Sequence, residues 1–159
     1  MLEIKNLSKR YEGGPLALDD VSFKVPQGEF LAVIGLSGSG KSTLLRCINR
    51  LIEPTAGDII WNNINVTQAS DGELRTIRRK IGMVFQHFNL VNRSSVLTNV
   101  LSGRLGYVNP AMSFFNKFPQ NDIDNAYKEM ERVGIAEKAH QRADELSGGQ
   151  QQRVGIARA

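Results

Sequence analysis

This sequence of 159 residues has little cysteine and no long apolar run. Its one cysteine, Cys47, cannot form an internal disulfide, and such usage is typical of a reducing compartment. The longest apolar stretch runs from Phe30 to Leu36, far short of the roughly 20 residues that a membrane-spanning helix needs. The first residues also lack the basic, apolar and small-residue order of a signal peptide. We therefore expect any membrane role to be peripheral.

The composition excludes a disordered or collagen-like chain. Hydrophobic residues make up 41% of the sequence, and with 15 glycines this is close to the usage of globular domains. The length predicts one domain. Twenty basic residues against 16 acidic ones give a net charge of +4, which fits a solvated basic surface better than a nucleic-acid footprint.

The first half of the sequence predicts strands around a glycine-rich loop. Alternating apolar residues at 2–4 and 21–25 predict two half-buried strands. The nearly continuous apolar run Phe30–Ile34 predicts a strand buried on both faces of a parallel sheet. Helical spacing of apolar residues follows from Lys41 to Leu51. Strand, glycine loop and helix thus form the first clear unit.

From residue 58 onward the pattern changes from strands to helices. Ser70 and Glu73 have capping-box spacing, which predicts the start of a short helix. The other predicted elements are strands at 58–61 and 81–85, helices at 95–105 and 122–133, and a long connection at 106–120. We expect a β and P-loop core over residues 1–88 and a helical subdomain over residues 89–150.

Residues 35–42 match the phosphate-binding loop pattern G-x-x-x-x-G-K-[ST]. Glycines in such a loop let backbone N–H groups turn toward a phosphate, and the following helix adds the positive end of its dipole. Lys41 would lie between the β- and γ-phosphates, and the Ser42 hydroxyl can ligate Mg²⁺. A mere flexible turn fits less well, because all four fixed positions match. The motif predicts a nucleoside triphosphate site but no particular activity.

A second motif, Leu146-Ser147-Gly148-Gly149-Gln150, precedes another predicted helix. Ser147 and Gln150 have capping-box spacing, so alone the motif is compatible with a simple helix start.

Together, the segments 35–43 and 146–150 resemble the ATP-binding cassette (ABC) ATPases, and the resemblance covers essentially the whole chain. It implies a single α/β domain over residues 1–159, a P-loop NTPase of ABC type. This fold has an N-terminal antiparallel β subdomain and a helical subdomain that carries the signature motif at 146–150. In this family ATP and Mg²⁺ are held in a head-to-tail dimer, where Ser147, Gly148 and Gly149 would face the γ-phosphate bound by the partner's P-loop.

The resemblance also assigns individual residues. Tyr11 matches the aromatic residue that stacks on adenine, although strand packing also explains an aromatic there. Gln86 matches the glutamine loop, which touches Mg²⁺ and the attacking water. The implied catalytic residues are Lys41 and Gln86, and the implied metal ligands are Ser42 and Gln86. The implied nucleotide-binding residues are Tyr11, Gly35, Ser37, Gly38, Ser39, Gly40, Lys41, Ser42, Thr43, Ser147, Gly148, Gly149 and Gln150.

Within this family, residues 86–106 most resemble the ATPase subunits of phosphonate importers. This implies two copies of the ATPase subunit, integral membrane permease subunits and a separate substrate-binding protein, with no nucleic acid. It also implies a peripheral position on the cytoplasmic face of the inner or plasma membrane. The expected solutes are phosphonates or related oxyanions.

One expected family feature is not found in these 159 residues. In ABC ATPases an apolar strand ending in Asp-Glu follows the signature helix, and a histidine comes later. The segment Leu16–Asp20 imitates that pattern but precedes the P-loop, and Asp144-Glu145 has no apolar strand before it. His87 and His140 do not fall at the family's position. We therefore expect a truncated core sheet without its C-terminal part, a tendency to associate, and weak or no ATPase activity of the chain alone.

Two alternatives remain open. The chain could be a nucleotide-binding fragment or regulator without turnover. It could also be an ABC ATPase of the DNA-repair type, but such proteins usually insert coiled coils or zinc modules between the two motifs. The roughly 100 intervening residues, with one cysteine, leave no room for them.

Overall fold

The computed structural model describes residues 1–109 and 117–159. These residues form two compact units, Met1–Ile81 and Gly82–Ala159. Part of the long connection predicted at 106–120 lies outside the described residues. None of the helices among the described residues is long and apolar enough to span a membrane.

The first unit contains a four-stranded antiparallel sheet, as the resemblance implied. Its strands are β1 (Leu2–Arg10), β2 (Leu16–Val25), β3 (Ala56–Trp61) and β4 (Ile64–Asn65), in the order β2-β1-β3-β4. Asn62 and Asn63 form the turn between β3 and β4 with positive φ, a conformation that asparagine tolerates better than most residues.

Two helices cover one face of this sheet. Helix α1 (Lys41–Ile48) follows the glycine loop, and α2 (Asp71–Arg78) starts with the predicted capping box of Ser70 and Glu73. The shared core is made of buried residues from both layers: Ile4, Leu7, Leu18, Leu44, Cys47, Ile59, Val66, Leu74 and Ile77. This core fixes the position of α1 and therefore of the loop that enters it.

Two predicted strands are wrong. The segments Phe30–Ile34 and Ile81–Phe85 are not strands, and Phe30 and Ile34 are 94% and 93% exposed. A strand exists only where a neighbour completes its hydrogen-bond ladder, and neither segment has a strand partner among the described residues. The apolar residues of these two segments favour burial, but burial also requires neighbouring elements that the segment itself does not supply.

The second unit is helical. It contains α3 (Val96–Leu101), which continues as a 3₁₀ turn at Ser102–Arg104, then α4 (Gln120–Arg132) and α5 (Gly148–Arg158). Two further 3₁₀ turns lie at Ala136–Lys138 and Ala143–Glu145. Its buried apolar core consists of Val96, Val100, Leu101, Ala126, Met130, Ile135, Ala139, Leu146 and Val154.

Candidate nucleotide-binding site

The glycine loop curls into the start of α1. Gly38 and Gly40 have φ of 82° and 86°, the left-handed region that glycine adopts without steric cost. At Gly40 a Cβ atom would lie 2.3 Å from the carbonyl oxygen of Ala17. Only glycine therefore lets the loop pass β2 this closely and enter the helix at residue 41.

Lys41 points back into this curl. Its Nζ donates hydrogen bonds to the carbonyl oxygens of Gly35 and Leu36, both at 2.7 Å, and lies 3.3 Å from Ser39 Oγ. The ammonium group is therefore held by the backbone of the loop itself. An anion in this loop would meet a fixed positive charge.

The N-terminus of α1 also favours an anion. Its N-cap is Gly40, which offers no side-chain hydrogen bond, and its first turn contains no acidic residue. By contrast, the first turn of α2 is capped by Ser70 and carries Asp71 and Glu73. The first N–H groups of α1 and its positive dipole end are thus left to an external acceptor, the arrangement that binds phosphate.

Three further predicted residues lie at this end of the first unit. Ser42, in the first turn of α1, is exposed. Tyr11 Oη and Thr43 Oγ1 are 3.3 Å apart, so the tyrosine is next to the loop helix. Lys9 Nζ is 5.3 Å from the centre of the Tyr11 ring. Tyr11 is 43% exposed. The structure therefore joins Tyr11 to the P-loop helix and leaves part of its surface accessible.

The signature segment, residues 146–150, forms a second helix N-terminus, in the second unit, which we call the signature mouth. Ser147 N donates to Gln150 Oε1 at 3.0 Å and Ser147 Oγ accepts from Gln150 N at 3.4 Å, which confirms the predicted capping box. Apart from the adjacent residues and the backbone of α5 itself, no heavy atom of the described residues lies within 4 Å of the position that a Cβ on Gly148 or Gly149 would take. The two glycines therefore leave their backbone open to an approaching group.

An open cavity of about 310 Å³ lies beside this mouth. Its lining residues are Gly134, Ile135, Glu137, Ser147, Gly149, Gln150 and Arg153. Arg153 Nη1 donates to the carbonyl oxygens of Val133 and Gly134 at 2.8 and 3.3 Å. These hydrogen bonds hold the guanidinium group of Arg153 at the lining of the cavity. The sequence near Arg153 gives no signal of this contact, because its partners lie 19 and 20 positions away.

Gln86 begins a turn at residues 86–89 in the second unit and is exposed. Its neighbour His87 is also exposed. His140 lies elsewhere in this unit, where its Nε2 is 3.3 Å from Tyr127 Oη.

In each of the two acidic pairs, Asp19-Asp20 and Asp144-Glu145, one aspartate accepts a hydrogen bond within its own unit. Asp20 Oδ1 accepts from Asn6 Nδ2 at 2.8 Å, in the first unit. Asp144 accepts hydrogen bonds from the guanidinium of Arg142, which hold the pKa of its carboxyl below the ordinary value. Asp144 and Glu145 belong to a 3₁₀ turn. Cys47 is fully buried in the core, and burial raises the pKa of its thiol.

Comparison with known proteins places these features in context. A family model described as ABC transporter matches residues 18–159. The whole chain is 58% identical to the Phosphonates import ATP-binding protein PhnC 2 of Synechococcus sp., of which it covers 59%. It is 56% identical to PhnC 1 of Halalkalibacterium halodurans and covers 62% of that protein. The chain thus spans about 60% of the length of these curated relatives.

Solved structures give the same picture of the fold. The dimeric structure of the bacterial ABC transporter cassette MJ0796 matches with a TM-score of 0.86 at 37% identity, covering 99% of this chain and 68% of that one. A second dimeric structure, of a post-hydrolysis state of that cassette bound to ADP and Pi, matches with a TM-score of 0.85 over the same shares.

Proposed function

This chain belongs to the ABC transporter family, and from that premise we propose that it is the ATP-binding and ATP-hydrolysing part of a subunit that energises a membrane importer. The solutes we propose are phosphonates or related oxyanions, because relatives at 58% and 56% identity are named for phosphonate import. The observation that carries the proposal is the glycine loop, in which Lys41 Nζ is fixed at the uncapped start of α1.

The P-loop residues bind the triphosphate in this proposal. Backbone N–H groups at 35–43 would cradle the phosphates, and Lys41 would exchange its bonds to loop carbonyls for bonds to phosphate oxygens. The hydroxyl of Ser42 is the protein ligand proposed for Mg²⁺, which prefers oxygen ligands and, when bound, neutralises charge on the phosphates. Ser42 fits this role, because it is exposed in the first turn of α1.

Tyr11 and Gln86 complete the proposed set. Tyr11 is next to Thr43, so its ring can offer a face to the base. Gln86 lies at an exposed turn, and we propose that it contacts Mg²⁺ and the attacking water. These two roles rest on the resemblance and on the exposure of the two side chains.

The signature mouth binds a nucleotide held by another copy of the chain. Ser147, Gly148 and Gly149 present an open helix N-terminus, which supports binding of a γ-phosphate. The solved cassette MJ0796, a relative at 37% identity, is dimeric, which supports a homodimer here. The further partners that we propose are integral permease subunits and a separate substrate-binding protein, with the chain peripheral on the cytoplasmic face of the membrane.

Two capping boxes offer a matched test of this role. Ser147→Ala and Ser70→Ala each remove one helix-capping hydroxyl, so each should cost about 1 kcal/mol of stability. Only Ser147→Ala should weaken the Mg·ATP-dependent self-association of the chain, measured by sedimentation velocity. Equal association by both variants would contradict the proposed role of the signature segment.

We further propose that these 159 residues bind ATP but hydrolyse it only slowly. No Asp-Glu pair follows a run of apolar residues after the signature motif within this sequence. A positioned carboxylate is what orients the attacking water in such sites. The test is equilibrium ATP binding beside phosphate release, on this chain and on a form extended to the length of its relatives.

We expect binding by both forms and rapid phosphate release only by the extended one. Rapid release by the 159-residue chain would refute the proposed slow turnover. Binding without release by both forms would favour the alternative, a nucleotide-binding regulator.

A further inference from the structure

Arg158, in the last turn of α5, is bonded to the turn that begins with Gln86. Its Nη2 donates to the carbonyl oxygen of Phe88 at 2.5 Å, and its Nη1 donates to that of Asn89 at 2.7 Å. Seventy residues separate the two ends of this contact along the chain. The planar guanidinium group suits such a paired contact, because its donors form a rigid fork.

The turn at the other end of this contact has an unfavourable backbone. Phe88 and Asn89 have φ of 57° and 48°, in the left-handed region that non-glycine residues rarely adopt. Such residues persist only where surrounding groups hold them in place. The cost falls mainly on Phe88, since asparagine tolerates this region better, and the carbonyl oxygens of both residues accept from Arg158.

The last turn of α5 packs against two other segments of the second unit. A Cβ on Gly103 would lie 2.1 Å from the carbonyl oxygen of Arg158, so the 3₁₀ turn at Ser102–Arg104 packs directly against this backbone. A Cβ on Gly155 would lie 3.7 Å from Cβ of Phe88, so the turn also rests on α5. Burial lowers the pKa of the Arg158 guanidinium, consistent with its enclosed position.

We propose that Arg158 is a positioning residue that makes the turn 86–89 and the signature helix α5 move as one body. Displacing the helix would displace the turn, because the guanidinium bonds to two consecutive carbonyls of that turn. Gln86 and the mouth at Ser147–Gly149 would then respond together to nucleotide. That consequence rests on the proposed function, whereas the link between α5 and the turn does not.

Hydrogen exchange in the absence of nucleotide tests the link itself. Two charge-assisted hydrogen bonds hold the turn, so Arg158→Gln should speed amide exchange in peptides covering 86–91 by about tenfold or more. Arg158→Lys, which keeps the charge but loses the fork, should give a smaller increase. Arg132→Gln is the matched control, because among the residues that the structure describes the Arg132 side chain forms an exposed ion pair with Glu129, and its loss should leave exchange at 86–91 unchanged.

A double-mutant cycle separates coupling from simple loosening. Gly103→Ala presses on the backbone of Arg158 and should speed exchange at 86–91 in the wild-type chain. In the Arg158→Gln background the same substitution should add little, because the connection to the turn is gone. Independent, additive effects would overturn the proposal, as would unchanged exchange at 86–91 in Arg158→Gln. If Arg158→Gln fails to fold, Arg158→Lys and its own cycle with Gly103→Ala decide the matter by the same criterion.

Repeating the hydrogen-exchange measurement with Mg·ATP separates the proposed function from the proposed role of Arg158. In the wild-type chain ATP should slow exchange at 86–91 and at 147–153 together, and in Arg158→Lys the two responses should differ in size. If ATP changes exchange nowhere in the chain, the proposed function fails, while the nucleotide-free cycle still decides the role of Arg158.

Discussion

We expect the Asn99 side chain to contribute about 2–3 kcal/mol to the free energy of unfolding of the second unit, although no catalytic or binding role is proposed for it. It is 1% exposed within α3. Its Oδ1 accepts from Val91 N at 2.7 Å, and its Nδ2 donates to the carbonyl oxygens of Val91 and Ser95 at 3.1 and 3.0 Å. At about 1 kcal/mol for each hydrogen bond, the three sum to about 3 kcal/mol.

The magnitude depends on what replaces the amide. Asn99→Leu keeps the branching at Cγ and the number of side-chain heavy atoms, so it removes the hydrogen bonds without opening a cavity, and its larger methyl groups add a packing cost. The carbonyl oxygens of Ser95 and Val91 keep their bonds from Asn99 N and Ser94 N, both at 3.0 Å, whereas the N–H of Val91 loses the side-chain oxygen that accepts from it. We therefore expect a loss of about 2 kcal/mol. Asn99→Ala should cost more, since it adds a void.

Urea denaturation can measure this loss with an internal reference. The one tryptophan, Trp61, lies in β3 of the first unit, while the second unit contributes most of the helical circular dichroism. At about 1–2 kcal/mol per molar urea, Asn99→Leu should lower the midpoint of the helical transition by roughly 1–2 M. Asn125→Leu, at an exposed position of α4, is the control. A shift below about 0.3 M, or one equal to that of the control, would refute the reasoning.

Three further predictions follow from single contacts. Gly57 and Gly28 have φ of 88° and 86°, but only at Gly57 would a Cβ meet backbone, 2.3 Å from Asn6 O, so thermal melting should show Gly57→Ala as clearly more destabilising than Gly28→Ala. Burial raises the pKa of the Cys47 thiol, so at pH 8 a thiol reagent should modify the native chain far more slowly than the urea-unfolded chain. Hydrogen bonds from the hydroxyl and the backbone N–H of Ser70 hold the pKa of Glu73 below its ordinary value. Their stabilising effect is therefore present above that ordinary pKa and lost as pH falls through the folded pKa, a loss that Ser70→Ala should reduce in acid titrations of stability.

Local patterns were the most predictable part of this molecule. The spacing of two residues predicts each capping box, at Ser70 and at Ser147, because both partners lie within one helical turn. The P-loop was equally readable, since a glycine with positive φ and the following lysine are consecutive in the chain. In each case the contact that matters joins residues no more than six positions apart.

Contacts between distant residues were not predictable in this way. The apolar run at 30–34 predicts a strand, but strand formation requires a neighbouring strand that the run itself cannot specify. Arg158 and the carbonyls at 88–89 are about 70 residues apart, and nothing in the sequence near either end indicates the other. Asn99 gave a weak signal, because a polar residue on an otherwise apolar helix face is either exposed or fully bonded.

Lys41 is the cation of the proposed phosphate site. Titration calorimetry with Mg·ATP on the wild-type chain, Lys41→Met and the control Lys128→Met measures how far nucleotide binding depends on it, since Lys128 is exposed on α4. We expect Kd to rise at least about tenfold for Lys41→Met, the loss of one charge-assisted contact, and to stay unchanged for the control. Equal affinity of Lys41→Met and the wild-type chain would contradict the account.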